Sequence, residues 1–297
     1  MEKMFRVNLY NVENMLLPFV EVVFKVAEGK MRKGLLMIDT CSNSNVLSKG
    51  ILQYLDPDDV IEGEVRNIMG IQRRGSVCKG RGVDFVIGDM AFHEVFYEGT
   101  VNLDEFGGNG VIMGFVGNEF LKEYGLILDY QDQCLRQSDD RDVTPDDCRF
   151  YFPLAYGMNR YKCPAVVATK DDNKYILFTD SGNDLGTISE NDMKAMGKDY
   201  HSLDKEEVLH SVSGDDETSL FHITFDLYTM LADKSLQIVP FENDFYVSNS
   251  YNHLVDANGK EYNGKPLLPI TGLIGSPFML KNKWILDFDK GAVYSLK

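Results

Sequence analysis

The 297 residues read as an all-β protein of two related lobes with only short helices. Three features point there. Short apolar or alternating runs, bounded by Gly, Asn or Asp, recur along the chain, which is the strand signal. The 18 Phe and 15 Tyr favour strands, and the 26 glycines and 9 prolines supply turns rather than helix interiors. Finally, the chain repeats two of its own segments in the same order, the mark of internal duplication.

The first repeat pairs residues 34–48, GLLMIDTCSNSNVLS, with residues 175–189, YILFTDSGNDLGTIS, without a gap. Asp39 falls on Asp180, Thr40 on Ser181, Cys41 on Gly182 and Ser48 on Ser189. Each copy drives an apolar strand into an aspartate and a hydroxyl residue. A buried carboxylate is costly unless something pairs with it, and the second copy supplies a partner. The second repeat pairs residues 114–130, GFVGNEFLKEYGLILDY, with residues 272–288, GLIGSPFMLKNKWILDF. Both carry Gly-apolar-apolar-Gly, then Phe120 or Phe278, then Ile-Leu-Asp-aromatic. The halves that carry them are too long to be solenoid repeats. They define an N-terminal lobe, 1–138, and a C-terminal lobe, 151–297. Residues 139–150, charged and carrying Pro145, read as the linker.

In chain order, the first lobe is expected to form strands at VNLYNV, FVEVVFKV, LLMIDT, VDFVIG, HEVFY and LILDY. The second has PAVVAT, YILFTD, LFHITFDLY, QIVPF and WILDF. Short helices are expected at 117–124, 189–197 and 203–210; Ser189 with Glu190 and Asp192 gives a start signal for the second.

Composition narrows the partners. The net charge is −16 and no Lys/Arg cluster exceeds a pair, which argues against nucleic acid and anionic membranes. No apolar run reaches the roughly 18 residues of a membrane span. The start, Met1-Glu2-Lys3-Met4-Phe5-Arg6, lacks a signal-peptide layout, so a cytoplasmic location is expected. The five cysteines (41, 78, 134, 148, 163) are scattered and form no CxxC pair, as suits free thiols in a reducing compartment. No metal or cofactor is expected. His93, His201, His210, His222 and His253 lack ligand spacing, and Gly107-Gly108-Asn109-Gly110 lacks the Lys-Ser/Thr of a phosphate loop. Asp129, Asp287 and Trp284 read as structural, and Asp139-Asp140-Arg141-Asp142 as a solvated linker.

An apolar strand, Asp-Thr/Ser-Gly, then Gly-apolar-apolar-Gly before a short helix, twice in order, resembles the retropepsin-like and pepsin-like aspartic peptidases. The likeness covers both halves. It implies two fused lobes of the aspartic-peptidase (acid protease) barrel type around a central cleft, with no sign of a prosegment or of disulfides. It implies a monomer with pseudo-twofold symmetry acting as an aspartic endopeptidase. Asp39 and Asp180 would be catalytic. Two carboxyls at close range share one proton, one acting as base and the other as acid, and activate water to attack a peptide carbonyl. Thr40 and Ser181 would reach across the axis to the facing backbone. Gly114–Gly117 and Gly272–Gly275 would cross beneath the two turns, where glycine suits close backbone packing.

The resemblance also implies a hairpin flap in each lobe. One falls at residues 66–82, with its tip between Gly70 and Gly75 and with Met69 and Ile71 beside it. The other falls at 210–222, with Ser213 and Gly214 at its tip. An extended peptide or protein substrate would lie between them as an added strand. Arg73 and Arg74 on one flap oppose Asp215, Asp216 and Glu217 on the other; the plainer interpretation is solvated loop charge worth little.

Cys41 stands where the family has Gly. It is accommodated in an active enzyme, or acts as a redox handle, or marks a catalytically inactive pseudoprotease that binds peptides or serves structurally. An unrelated β-sandwich binding protein is a further alternative, and it fails if the carboxyls of Asp39 and Asp180 are neighbours.

Overall fold

The computed structural model describes residues 5–12, 15–69, 75–99, 111–138, 143–155, 163–170, 173–195, 200–211, 214–247, 261–262, 265–266 and 270–297. The protein is all-β, with short helices at Lys49–Leu52, Asn118–Glu123, Glu190–Ala195 and Ser276–Lys281 among the described residues. The second and third match expectation; the fourth repeats the second, Gly117 and Gly275 each standing just before the helix.

Two large sheets share one topology. The first joins β2 (Tyr10–Val12), β3 (Met15–Lys25), β4 (Met31–Asp39), β5 (Asn45–Leu47), β6 (Val60–Met69), β7 (Gly75–Ile87), β8 (Met90–Glu98) and β9 (Ile112–Gly117) in the order 2-3-4-9-5-8-7-6. The second joins β13 (Ala165–Lys170), β14 (Asn173–Asp180), β15 (Gly186–Ile188), β16 (Tyr200–Ser211), β17 (Gly214–Met230), β18 (Leu236–Val247) and β21 (Ile270–Gly275) in the order 13-14-21-15-18-17-16. Apart from β2, the orders correspond strand for strand. Each sheet also curls back on itself: β3 pairs with β7 at Val23↔Val86, and β13 with β17 at Ala168↔Leu227.

The registers repeat as well. β4 runs parallel to β9 with a shift after Leu35↔Ile112 and then Leu36↔Gly114 through Asp39↔Gly117. β14 runs parallel to β21 with the same shift after Ile176↔Ile270 and then Leu177↔Gly272 through Asp180↔Gly275. The duplication read from two segments therefore extends through seven strands of hydrogen bonding.

A third, six-stranded sheet takes three strands from each half. Its order is β1 (Arg6–Asn8), β11 (Cys134–Gln137), β10 (Leu126–Asp129), β22 (Ile285–Asp287), β23 (Ala292–Leu296), β12 (Cys148–Pro153). The halves meet at β10 and β22, paired antiparallel as Ile127↔Asp287, Leu128↔Leu286 and Asp129↔Ile285. The repeated Ile-Leu-Asp segments thus pair with each other, and the pseudo-twofold passes by Leu128 and Leu286. Asp129 is buried and accepts from Arg136 Nε at 3.0 Å and from the Asp132 N–H at 2.8 Å. Asp287, also buried, accepts from the Lys290 N–H at 2.9 Å, so both carboxyls tie down turns. Trp284 is fully buried and packs edge-on to Phe278 at 5.4 Å between ring centroids. β19 (Glu261–Tyr262) and β20 (Lys265–Pro266) form a separate two-stranded ribbon.

One expected element is overturned. Residues 203–210 are not a helix but part of β16, paired with β17 from Glu206↔Ser219 to His210↔Asp215. Their helix-forming residues lose to the tertiary ladder, and Asp204, at φ 51°, sits in a bulge that no helix accepts.

Leu286, fully buried at the junction of the halves, is a direct test of this architecture. Leu286→Ala is expected to cost about 2–5 kcal/mol, read from the midpoint of denaturant unfolding. A change within error would mean that β22 does not carry the junction.

Candidate functional site

The two repeated turns meet at the axis. Asp39 ends β4 and Asp180 ends β14, each beside a glycine of the neighbouring parallel strand. A Cβ at Gly117 would stand 2.5 Å from the Ser42 carbonyl oxygen, and one at Gly275 would collide with the Leu185 carbonyl. Gly114 and Gly272 press likewise on the Val46 and Thr187 carbonyls. The repeated Gly-apolar-apolar-Gly is therefore required by space: a side chain at Gly117 or Gly275 would push away the segment that follows the aspartate, and one at Gly114 or Gly272 would push away β5 or β15.

Thr40 and Ser181, both fully buried, lock the turns reciprocally. The Thr40 N–H donates to Ser181 Oγ at 3.0 Å, and the Ser181 N–H to Thr40 Oγ1 at 2.9 Å. Ser181 Oγ donates to the Ile38 carbonyl at 2.6 Å, and Thr40 Oγ1 donates to the Thr179 carbonyl. Every bond crosses from one half to the other.

This sets the carboxyls of Asp39 and Asp180 side by side, close enough for each to shift the other's ionisation. Their neighbourhood removes the β-sandwich alternative, which required them apart. Burial pushes Asp39 up to about 6, opposed by the N–H groups of Cys41 and Ser42, which donate to its Oδ1 at 3.0 and 3.1 Å. Burial, with the Asp39 charge added to it, raises Asp180 well above the usual carboxylate range, and only the Gly182 N–H, at 3.0 Å, opposes this. Asp39 has two backbone donors and Asp180 one. Donors to a carboxylate favour its ionised form, so this difference favours ionisation at Asp39 over Asp180.

Gly182 and Cys41 occupy matching places but behave differently. A Cβ on Gly182 would lie 2.8 Å from Asp39 Cγ, so glycine leaves that carboxyl its room. Cys41 is half-buried and not among the residues with positive φ, so its backbone needs no glycine. Its Sγ lies 3.8 Å from the Thr179 carbonyl, and it packs against a small cluster including Ala155, Cys163 and Ala165. Burial pushes the Cys41 thiol up, reinforced by Cys163 and by the charges of Asp180 and Asp39.

Three contributors have no signal in the sequence. Cys163, 122 positions away, donates from Sγ to the Cys41 carbonyl at 3.2 Å. Tyr130, whose counterpart is Phe288, hydrogen-bonds Ser276 Oγ at 2.6 Å, close enough to Asp180 to feel its charge. Arg66, on β6, reaches the turn after Asp39 through Ser44 Oγ at 2.8 Å and the Asn43 carbonyl at 3.0 Å.

The hairpins expected as flaps are present as backbone: β6 and β7 pair up to Met69↔Gly75, and β16 and β17 up to Ser211↔Gly214. Gly70, Ile71, Arg73, Arg74 and Ser213 lie outside the described residues, as do the acidic run 139–142 and the Gly-rich run 107–110. Among the described residues no group of three or more His, Cys, Asp or Glu is placed to hold a metal, and no helix is long and apolar enough to cross a membrane. The sequence matches no protein-family model and no curated protein.

Two outcomes test the site without any substrate. Thr40→Val and Ser181→Ala should each destabilise, and a double-mutant cycle should give a coupling of about 0.5–3 kcal/mol; additive effects would mean that the hydroxyls do not act as a unit. The second outcome concerns pH. Both carboxyls are raised in the folded state, so between their unfolded value near 3.8 and about 6 the folded chain holds more protons than the unfolded one. Stability then falls as pH rises through that window. Asp180→Asn should therefore raise the melting temperature at pH 8, and the gain should vanish near pH 4. An equal effect at both pH values would contradict the raised pair.

Proposed function

We propose that this chain is an aspartic endopeptidase of the two-lobed acid-protease type, hydrolysing peptide bonds through a water activated by Asp39 and Asp180. The observation that carries the proposal is the carboxyl pair: two aspartates from duplicated turns that lock each other across the axis, neighbours of each other and both raised. Ionised Asp39 takes a proton from water as it attacks the scissile carbonyl. Protonated Asp180 donates to the carbonyl oxygen, and the proton gained by Asp39 then passes to the leaving amine. No covalent intermediate forms on either side chain. An extended peptide under the two hairpins suits this chemistry, since strand addition fixes the carbonyl by main-chain hydrogen bonds.

A second reading, a pseudoprotease that binds peptides without cutting them, draws on Cys41, whose side chain stands against the pair where glycine is expected.

The two readings separate on cleavage of a diverse peptide mixture, followed by mass spectrometry across pH. Wild type should cut, and Asp39→Asn and Asp180→Asn should each lose about 10²–10⁴-fold. Activity needs Asp39 ionised and Asp180 protonated, so kcat/KM should fall as pH drops below about 6 and fall again at high pH as Asp180 ionises. An optimum near pH 4 would contradict this assignment of the proton. Silence from wild type with cutting by Cys41→Gly would favour the binding reading.

A further inference from the structure

We infer that Cys41 and Cys163 are a redox-active dithiol, a modification site in which an intramolecular disulfide joins the two halves of the chain beside the carboxyl pair. Cys41 lies on the turn of Asp39, and Cys163 precedes β13, the strand paired with the one that ends in Asp180. The Cys163 sulfur is 3.2 Å from the Cys41 carbonyl, and the Cys41 side chain packs against the cluster that holds Cys163. Both belong to one small apolar cluster, and neither is in a disulfide in this structure.

Exposure sets the order of events. Cys41 is half-buried and reachable, whereas Cys163 is only 4% exposed. A peroxide therefore meets Cys41 first: its thiolate attacks the O–O bond, giving Cys41–SOH and one water. The Cys163 thiolate then attacks that sulfur and expels the second water, forming the S–S bond. Two thiols are oxidised to one disulfide and one peroxide is reduced to two waters. The low thiolate fraction of Cys41, half-buried beside carboxyls, makes the first step faster as pH rises. The new bond draws the Cys41 sulfur away from the Thr179 carbonyl and moves the turn whose N–H groups hold Asp39. Only this loss of cleavage rests on the endopeptidase reading; formation of the disulfide does not.

The test treats the full chain with hydrogen peroxide, blocks remaining thiols, and maps tryptic peptides by mass spectrometry. The expected product links residues 34–49 to residues 163–170 with the loss of two hydrogens, and dithiothreitol reverses it. In the same samples peptide cleavage is lost and then restored, and Cys163→Ser abolishes the restoration while Cys41→Gly abolishes the sensitivity. Cys41 found as sulfinic acid with Cys163 still alkylatable, both thiols unchanged, or either cysteine bridged elsewhere would overturn the inference. A wild type that never cuts would count against the endopeptidase reading alone, because the peptide map still decides the disulfide.

Discussion

The structure turns on four hydrogen bonds buried at the axis between the halves. A hydroxyl can donate once and accept twice, and Thr40 and Ser181 each donate to a facing carbonyl and accept from a facing N–H. Cut the chain between its halves and two N–H groups and two carbonyls lose their partners together. Leaving a buried polar group unpaired costs about 1–3 kcal/mol. Neither half can thus complete its own turn, which makes each the other's structural requirement. Only because the turns are held in register can the two carboxyls be buried side by side, a juxtaposition that opposes ionisation and would otherwise drive them apart.

From that centre the twofold spreads outward through strand pairing. The parallel strand under each turn carries glycines where the next backbone leaves no space, and the paired Ile-Leu-Asp segments join the halves at the six-stranded sheet. Symmetry of backbone does not extend to symmetry of charge. The N–H groups of Ser42 and its counterpart Asn183 both reach the backbone carbonyl of their aspartate at 3.3 Å, but Ser42 also gives Asp39 Oδ1 a second N–H at 3.1 Å. The extra backbone donor favours the ionised form of Asp39, and on the proposed mechanism it makes Asp39 the base and Asp180 the acid.

Much of this was legible in the sequence because gap-free repeats preserve register. Asp39, Thr40, Asp180 and Ser181, and the four glycines beneath them, were all located by alignment of the chain with itself. What stayed hidden depends on tertiary neighbours. Residues 203–210 carry helix formers on a ladder that imposes a strand. Cys163 sits in an unremarkable CPA triplet, and its closeness to Cys41 arises from the pairing of β13 with β14. The third repeat was too diverged to see. Its register, Phe19↔Met37 against Ala165↔Phe178, equates Leu17-Pro18-Phe19-Val20 with Cys163-Pro164-Ala165-Val166.

That hidden repeat gives a physical account of the cysteine at the aspartate turn. Where one turn carries the smallest residue, Gly182, the opposite half supplies Leu17 and Phe19 at the matching strand positions. Where the other turn carries Cys41, the facing strand supplies Cys163 and Ala165, and Cys41 packs into their cluster. Bulk added on the turn is offset by bulk removed from the strand across the axis: Phe to Ala and Leu to Cys. Interiors packed to crystal density tolerate an exchange of volume far better than an addition of it. Cys41 is therefore not a side chain forced into a glycine site but one half of a matched pair. The same exchange that makes room for its sulfur places a second thiol against it.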